Sequence, residues 1–262
     1  MKDYETYIFD IDGTLLAHHK PLPGAVEIIR FLRKGKKTIF FVTNNPFSTN
    51  EALAKRLNAS HIEAYSSEII TPIQAVTSFL QEEKHVSTIL ALLDPTIRKY
   101  LELQGWRIVA SEDKPDRCSH VLLGLHEQIN YIDFAVGLQM LDKGAKLVLL
   151  NKDLFCPVEN GRIPDTGALS AVFEKCCNEK PIAIGKPSIW MQKVLEKHVK
   201  SKPKQTLFIG DSPFTDIKIG RALKMHTLLV KTGVTNYQKG KVRSTYVHRS
   251  LEQTLRRLKN NY

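Results

Sequence analysis

The apolar run Thr6-Tyr7-Ile8-Phe9 breaks directly into Asp10-Ile11-Asp12-Gly13-Thr14. A short, unbroken stretch of β-branched and aromatic residues reads as a strand buried on both faces of a parallel sheet. The abrupt change to carboxylates and glycine marks a polar loop at its carboxyl end. The pattern recurs twice. Thr38-Ile39-Phe40-Phe41-Val42 runs into Thr43-Asn44-Asn45-Pro46, and Thr206-Leu207-Phe208-Ile209 runs into Gly210-Asp211-Ser212-Pro213-Phe214-Thr215-Asp216. Helical spacing fills the intervals. Pro23 opens a segment with Val26, Ile29 and Phe31-Leu32 that stops near Gly35, and a helix starting near Ser48 or Thr49 carries Leu53 and Leu57. Ile217, Ile219 and Ala222 form a third helix, ahead of a strand at Thr227-Leu228-Leu229-Val230. This alternation predicts an α/β fold with a Rossmann-like, three-layer parallel-sheet core. Such sheets bind their ligands just beyond the carboxyl ends of the strands, where the polar clusters sit.

The middle of the chain has the same texture without the strand-end acids. Strands are predicted at Thr88–Leu93, His120–Leu125 and Lys146–Leu150, with helices at Pro95–Leu103, Tyr131–Leu141 and Thr166–Cys177. This second α/β unit is expected to be inserted as a cap over 80–181, leaving 1–79 and 182–262 as one core. Apolar runs such as Ile89-Leu90-Ala91-Leu92-Leu93 are too short for a membrane span, and the acidic start of the chain does not resemble a signal peptide. A cytoplasmic location is therefore expected, with Cys118, Cys156, Cys176 and Cys177 reduced, because their spacing suits neither a metal site nor a disulfide framework.

The formal charge of +11 is uneven: Ile182–Tyr262 holds 17 Lys/Arg against 4 Asp/Glu, whereas the preceding 181 residues hold 21 and 23. A basic stretch of this kind serves nucleic acid, or simply stays solvated and attracts small anions. No stacking aromatics are interleaved and no nucleic-acid motif is present, so the expected partner is a small anionic molecule rather than nucleic acid or membrane.

Each polar cluster has a chemical and a plain structural reading. Asp10 and Asp12 supply carboxylates that act as nucleophile, acid/base group or Mg²⁺ ligand, while a D-x-D-G turn between strand and helix needs no chemistry at all. Thr43 and Asn44 offer donors to phosphate oxygens or cap a helix. Lys186, in Gly185-Lys186-Pro187-Ser188, neutralises a phosphoryl group or is one lysine among many. Asp211 and Asp216 add strand-end carboxylates, of which helix capping accounts for only part.

Taken together, Asp10-Ile11-Asp12-Gly13-Thr14, Val42-Thr43-Asn44-Asn45, Ile184-Gly185-Lys186-Pro187 and the Gly210–Asp216 segment resemble the four motifs of the haloacid-dehalogenase-like phosphatases. Thr-Asn-Asn, Gly124-Leu125-His126, Asn151-Lys152-Asp153 and the serine of Lys186-Pro187-Ser188 resemble its p-nitrophenylphosphatase-like branch, which carries a large α/β cap between the second and third motifs. The resemblance implies a Mg²⁺-dependent phosphatase acting on small phosphorylated metabolites through an aspartyl-phosphate. Asp10 would be the nucleophile and Asp12 the acid/base. Thr43, Asn44 and Lys186 would bind phosphate, and Asp10, the Asp12 backbone carbonyl and Asp211 would hold the metal with Asp216 in support. It also implies that the cap loop Pro164-Asp165-Thr166-Gly167 contacts substrate through Asp165 and Thr166, and that two copies meet through their caps. Asp165 stands where many relatives have glycine, so the substrate is not transferable by analogy. The same motifs leave a phosphomutase, or a non-catalytic phosphometabolite-binding protein, as alternatives.

Overall fold

The computed structural model describes residues 1–158, 160–177, 180–233 and 243–260. Its contacts divide the chain into two compact units. One comprises Met1–Thr43, Asn50–Ile70 and Gln192–Tyr262, and the other Asn44–Thr49 and Thr71–Met191. The second is thus wider than the 80–181 segment, because it also takes in the helix Pro72–Glu82, the strand Ile182–Ala183 and the loop that follows.

The first unit is built on a six-stranded sheet in the order Tyr246–His248, His226–Val230, Thr206–Gly210, Thr6–Phe9, Thr38–Val42, Ile69–Ile70, every neighbouring pair parallel. The two central strands, Thr6–Phe9 and Thr206–Gly210, are buried throughout, as their unbroken apolar composition requires. Helix Ala25–Lys34 turns Ala25, Ile28, Ile29 and Leu32 into the core, an i, i+3, i+4, i+7 stripe. Val26 and Phe31, assigned to the apolar face on sequence spacing, are only partly buried at its margin. Glu27 in the first turn and Arg33 and Lys34 in the last complement the helix dipole before Gly35 ends it.

The second unit has a five-stranded parallel sheet in the order Ile182–Ala183, Lys146–Leu149, His120–Leu123, Ile89–Leu92, Ile108–Val109. Its own core packs Leu90, Leu92, Val121, Leu123, Leu149, Met140 and Phe173. The predicted helices Pro95–Leu103 and Tyr131–Leu141 are present, the latter extending to Asp142. The helix expected over Thr166–Cys177 is broken into Thr166–Leu169 and Ala171–Cys176 at Ser170, whose hydroxyl donates to the Gly167 carbonyl at 3.0 Å. An antiparallel hairpin, Phe155–Val158 with Gly161–Pro164, had no counterpart in the sequence reading. Among the described residues no helix is long and apolar enough to cross a membrane.

Candidate active site

Sheet register brings the first unit's polar loops together. Phe9 pairs with both Phe41 and Ile209, so Asp10 stands level with Val42 and Gly210 on strands about 4.8 Å to either side. Thr43 and Asp211 follow one residue further on. The Asp10 amide donates to the Ile209 carbonyl at 2.9 Å and the Thr43 amide to the Ile70 carbonyl at 3.1 Å, so the ladder holds right up to the loops.

The carboxylates of Asp10, Asp211 and Asp216 each place an oxygen within 4.8 Å of the other two. All three are buried, at 6%, 3% and 1% exposure. Three buried carboxylates at such separation repel one another and lose hydration. A hard divalent cation relieves both costs, and an all-oxygen donor set suits Mg²⁺ rather than a softer metal. The residues present therefore fit the ion.

Glycines make this approach possible. Gly13 has a φ of 85°, and a Cβ built there would come 2.6 Å from Asp211 Oδ2. Gly233 lies against the same carboxylate, and Gly210 against that of Asp216. Asp216 Oδ2 also accepts the Ser212 amide at 3.0 Å, and Thr14 Oγ1 donates to Asp211 Oδ1 at 3.4 Å. Thr232 Oγ1 donates to the Gly13 carbonyl at 2.6 Å, tying down the loop.

Asp12 is oriented differently. Its Oδ1 accepts from Arg56 Nη2 at 2.6 Å, and its side chain is 42% exposed. Sequence reasoning missed Arg56, because a basic residue in a helical last turn looks like any solvated cation.

The other sequence-derived residues form a network within the second unit. Asn44 Oδ1 accepts the Lys186 amide at 2.7 Å, while Asn44 Nδ2 donates to the Lys186 carbonyl at 3.2 Å and to Asp153 Oδ2 at 2.9 Å. Gly185 permits this, since a Cβ there would lie 2.7 Å from Asn44 Oδ1. Asn151 Nδ2 donates to the Asn44 carbonyl at 3.0 Å and to Asp165 Oδ1 at 3.3 Å. Asp165 is buried and caps the helix Thr166–Leu169 by accepting the Thr166 amide at 2.5 Å. Burial pushes its carboxyl above the ordinary carboxylate range, against the pull of the Thr166 and Asn151 donors. Thr166 Oγ1 accepts the Leu125 amide at 3.0 Å. Asn44 and Asn151 thus brace the Lys186 loop and the Asp165 turn at once.

Comparison with known proteins gives the family. Residues 7–107 match the family described as haloacid dehalogenase-like hydrolase, and 183–254 match a second HAD-hydrolase-like family. An acid sugar phosphatase of Staphylococcus saprophyticus is 31% identical over 98% of this chain and 99% of its own. The chain belongs to the haloacid dehalogenase-like hydrolases. Within them it is similar to the 5'-nucleotidase YutF of Bacillus subtilis, at 30% identity over 90% of each chain. The p-nitrophenyl phosphatase from Archaeoglobus fulgidus superposes with a TM-score of 0.85 at 25% identity, covering 98% of this chain and 100% of that one. This haloacid dehalogenase-like hydrolase is accordingly a phosphoric monoester hydrolase of the p-nitrophenylphosphatase-like branch.

Proposed function

We propose that the protein is a Mg²⁺-dependent phosphatase of small metabolite monoesters, a sugar phosphate or a nucleoside monophosphate, working through an aspartyl-phosphate on Asp10. The observation that carries this is the convergence of the buried Asp10, Asp211 and Asp216 carboxylates within 4.8 Å at the ends of the central strands. The names borne by the similar sugar phosphatase and nucleotidase supply the substrate classes to try first, and because Asp165 in the cap loop bars direct transfer, a substrate panel decides between them.

In the first half-reaction a carboxylate oxygen of Asp10 attacks phosphorus, the bond to the leaving oxygen breaks, and Asp12 gives that oxygen a proton. In the second, Asp12 takes a proton from water. The resulting hydroxide attacks the aspartyl-phosphate, releasing inorganic phosphate and restoring the Asp10 carboxylate and the protonated Asp12 carboxyl. When bound by Asp10 and Asp211, with the Asp12 carbonyl and Asp216 in support, Mg²⁺ supplies charge neutralisation for the phosphoryl oxygens. Thr43, Asn44 and Lys186 are assigned to phosphate binding on the chemistry of their donors. Asp165 and Thr166 are assigned to substrate choice, acting through the shape of the turn they hold together.

Release of p-nitrophenol from p-nitrophenyl phosphate, with Mg²⁺ and with EDTA, tests the reading. Activity should require Mg²⁺ and vanish in Asp10→Asn, along with any acid-stable phosphoenzyme. Near-normal turnover by Asp10→Asn would overturn the mechanism. A panel of sugar phosphates and nucleoside 5'-monophosphates then ranks the substrate classes.

A further inference from the structure

Arg56 lies in the last turn of the helix Asn50–Ala59 and reaches two parts of the catalytic loop region at once. Its Nη2 donates to Asp12 Oδ1 at 2.6 Å and also to the His18 carbonyl. Just past the helix, Ser60 Oγ donates to the His19 carbonyl at 2.9 Å. His18 and His19 form the turn of a small hairpin, Leu16–Ala17 paired with Lys20–Pro21, with His18 at a φ of 56°. The hairpin begins where the Asp12-Gly13-Thr14 loop ends, and the Gly13 amide donates to the Leu16 carbonyl at 2.7 Å. One guanidinium therefore joins the Asp12 carboxylate to the tip of the hairpin.

Stability is a poor explanation for this arrangement. The two side chains are 22% and 42% exposed, and ion pairs with that access to water add little to folding. Orientation is a better one. An exposed carboxylate on its own samples several rotamers, whereas proton transfer needs its oxygen held within hydrogen-bond reach of the reacting atom.

We propose that Arg56 is a positioning residue for proton transfer by Asp12. By occupying Oδ1 it selects one Asp12 rotamer and leaves Oδ2 as the oxygen that gives a proton to the leaving group and takes one from water. The proposal rests on the acid/base reading of Asp12 given above. Its bridge to His18 makes the hairpin tip part of the same support.

The test compares two leaving groups in wild type, Arg56→Ala, Arg56→Lys, Asp12→Asn and the Arg56→Ala/Asp12→Asn double variant, with thermal melting to confirm that each is folded. p-Nitrophenolate departs without a proton, whereas the alkoxide of glycerol 3-phosphate or of the best sugar phosphate in the panel needs one. Arg56→Ala should lower kcat for the alkyl phosphate by about tenfold or more with KM little changed. It should leave the first burst of p-nitrophenolate nearly intact while more phosphoenzyme accumulates on acid quench. Arg56→Lys should recover part of the loss, and the double variant should be no slower than Asp12→Asn alone. Equal losses in the burst and in alkyl-phosphate turnover would overturn the proposal. So would unchanged alkyl-phosphate kinetics in Arg56→Ala, or a further loss on top of Asp12→Asn. If Asp12→Asn itself turns over the alkyl phosphate normally, the acid/base assignment of Asp12 falls first and this inference falls with it.

Discussion

Asp211 is held by contacts that leave little room for compromise: Gly13 on one side, Gly233 on another and the Thr14 hydroxyl at 3.4 Å. Asp211→Asn keeps the shape and removes the charge. Mg²⁺ affinity, read by calorimetric titration, should fall at least about tenfold, and the Mg²⁺ concentration for half-maximal activity should rise in parallel. Asp165 is the contrasting case, because its burial and its bonds to Thr166 and Asn151 give it a structural task. Asp165→Ala should lose about 1 kcal/mol of stability as the helix cap disappears, whereas Asp165→Asn, which still presents an oxygen to the Thr166 amide, should lose much less. Denaturant titration of the two variants separates charge from capping. At this scale the sequence pointed to the carboxylates of Asp10, Asp211 and Asp216 that the structure brings together, because strand-end carboxylates are conspicuous after apolar runs. It did not show that Asp12 Oδ1 is engaged by Arg56, since the two are 44 positions apart and neither spacing nor composition links them.

Elements bring these residues together through close backbone packing. The short helix Lys218–Ala222 lies so near the sheet that a Cβ on Gly220 would sit 2.6 Å from Thr227 Cγ2 and 3.0 Å from Phe208 Cβ. Neither neighbour is the flexible end of a long side chain. Gly220→Ala should therefore cost about 1–3 kcal/mol by overpacking, despite the better helix propensity of alanine, and chemical denaturation checks the sign. The turn Pro213–Ile217 that precedes this helix brings Asp216 back to Asp10 and Asp211. Its wide i→i+5 winding is not a pattern that 3.6-residue periodicity reveals. The hairpin Phe155–Val158/Gly161–Pro164 escaped the sequence reading for a related reason. Its strands are only partly buried, so no regular apolar alternation marks them.

Across the whole molecule four histidines share one direction of shift. Burial pushes His120, His126, His226 and His248 below the ordinary imidazole value of 6.5, with Glu83 opposing at His120 and nearby cations reinforcing at His226 and His248. Protons therefore bind the unfolded chain more readily than the native one. Stability should be fully present above about pH 6.5 and decline as the pH falls through the lowered native values. Melting temperatures at about pH 7.5 and 5.5 should show that decline. His120→Gln should flatten part of it, because His120 is only 1% exposed and its ring meets the edge of Phe79 at 5.8 Å between centroids. The formal charge of +11 adds to the effect, since each proton gained increases self-repulsion.

Local sequence was enough to determine the α/β class and the order of the strand-end clusters. Each of these is written within a few residues as an apolar run followed by acids, threonine or lysine. Only the tertiary structure decided how closely Asp216 approaches Asp10 and Asp211, that Asn44 and Asn151 brace the Lys186 and Asp165 loops, and that Arg56 holds Asp12. Those contacts join residues as much as 206 positions apart (Asp10 and Asp216), and their geometry depends on register and on glycines at close approaches. Residue type reports what a side chain can do; the packing of distant strands and loops selects which partner it does it with.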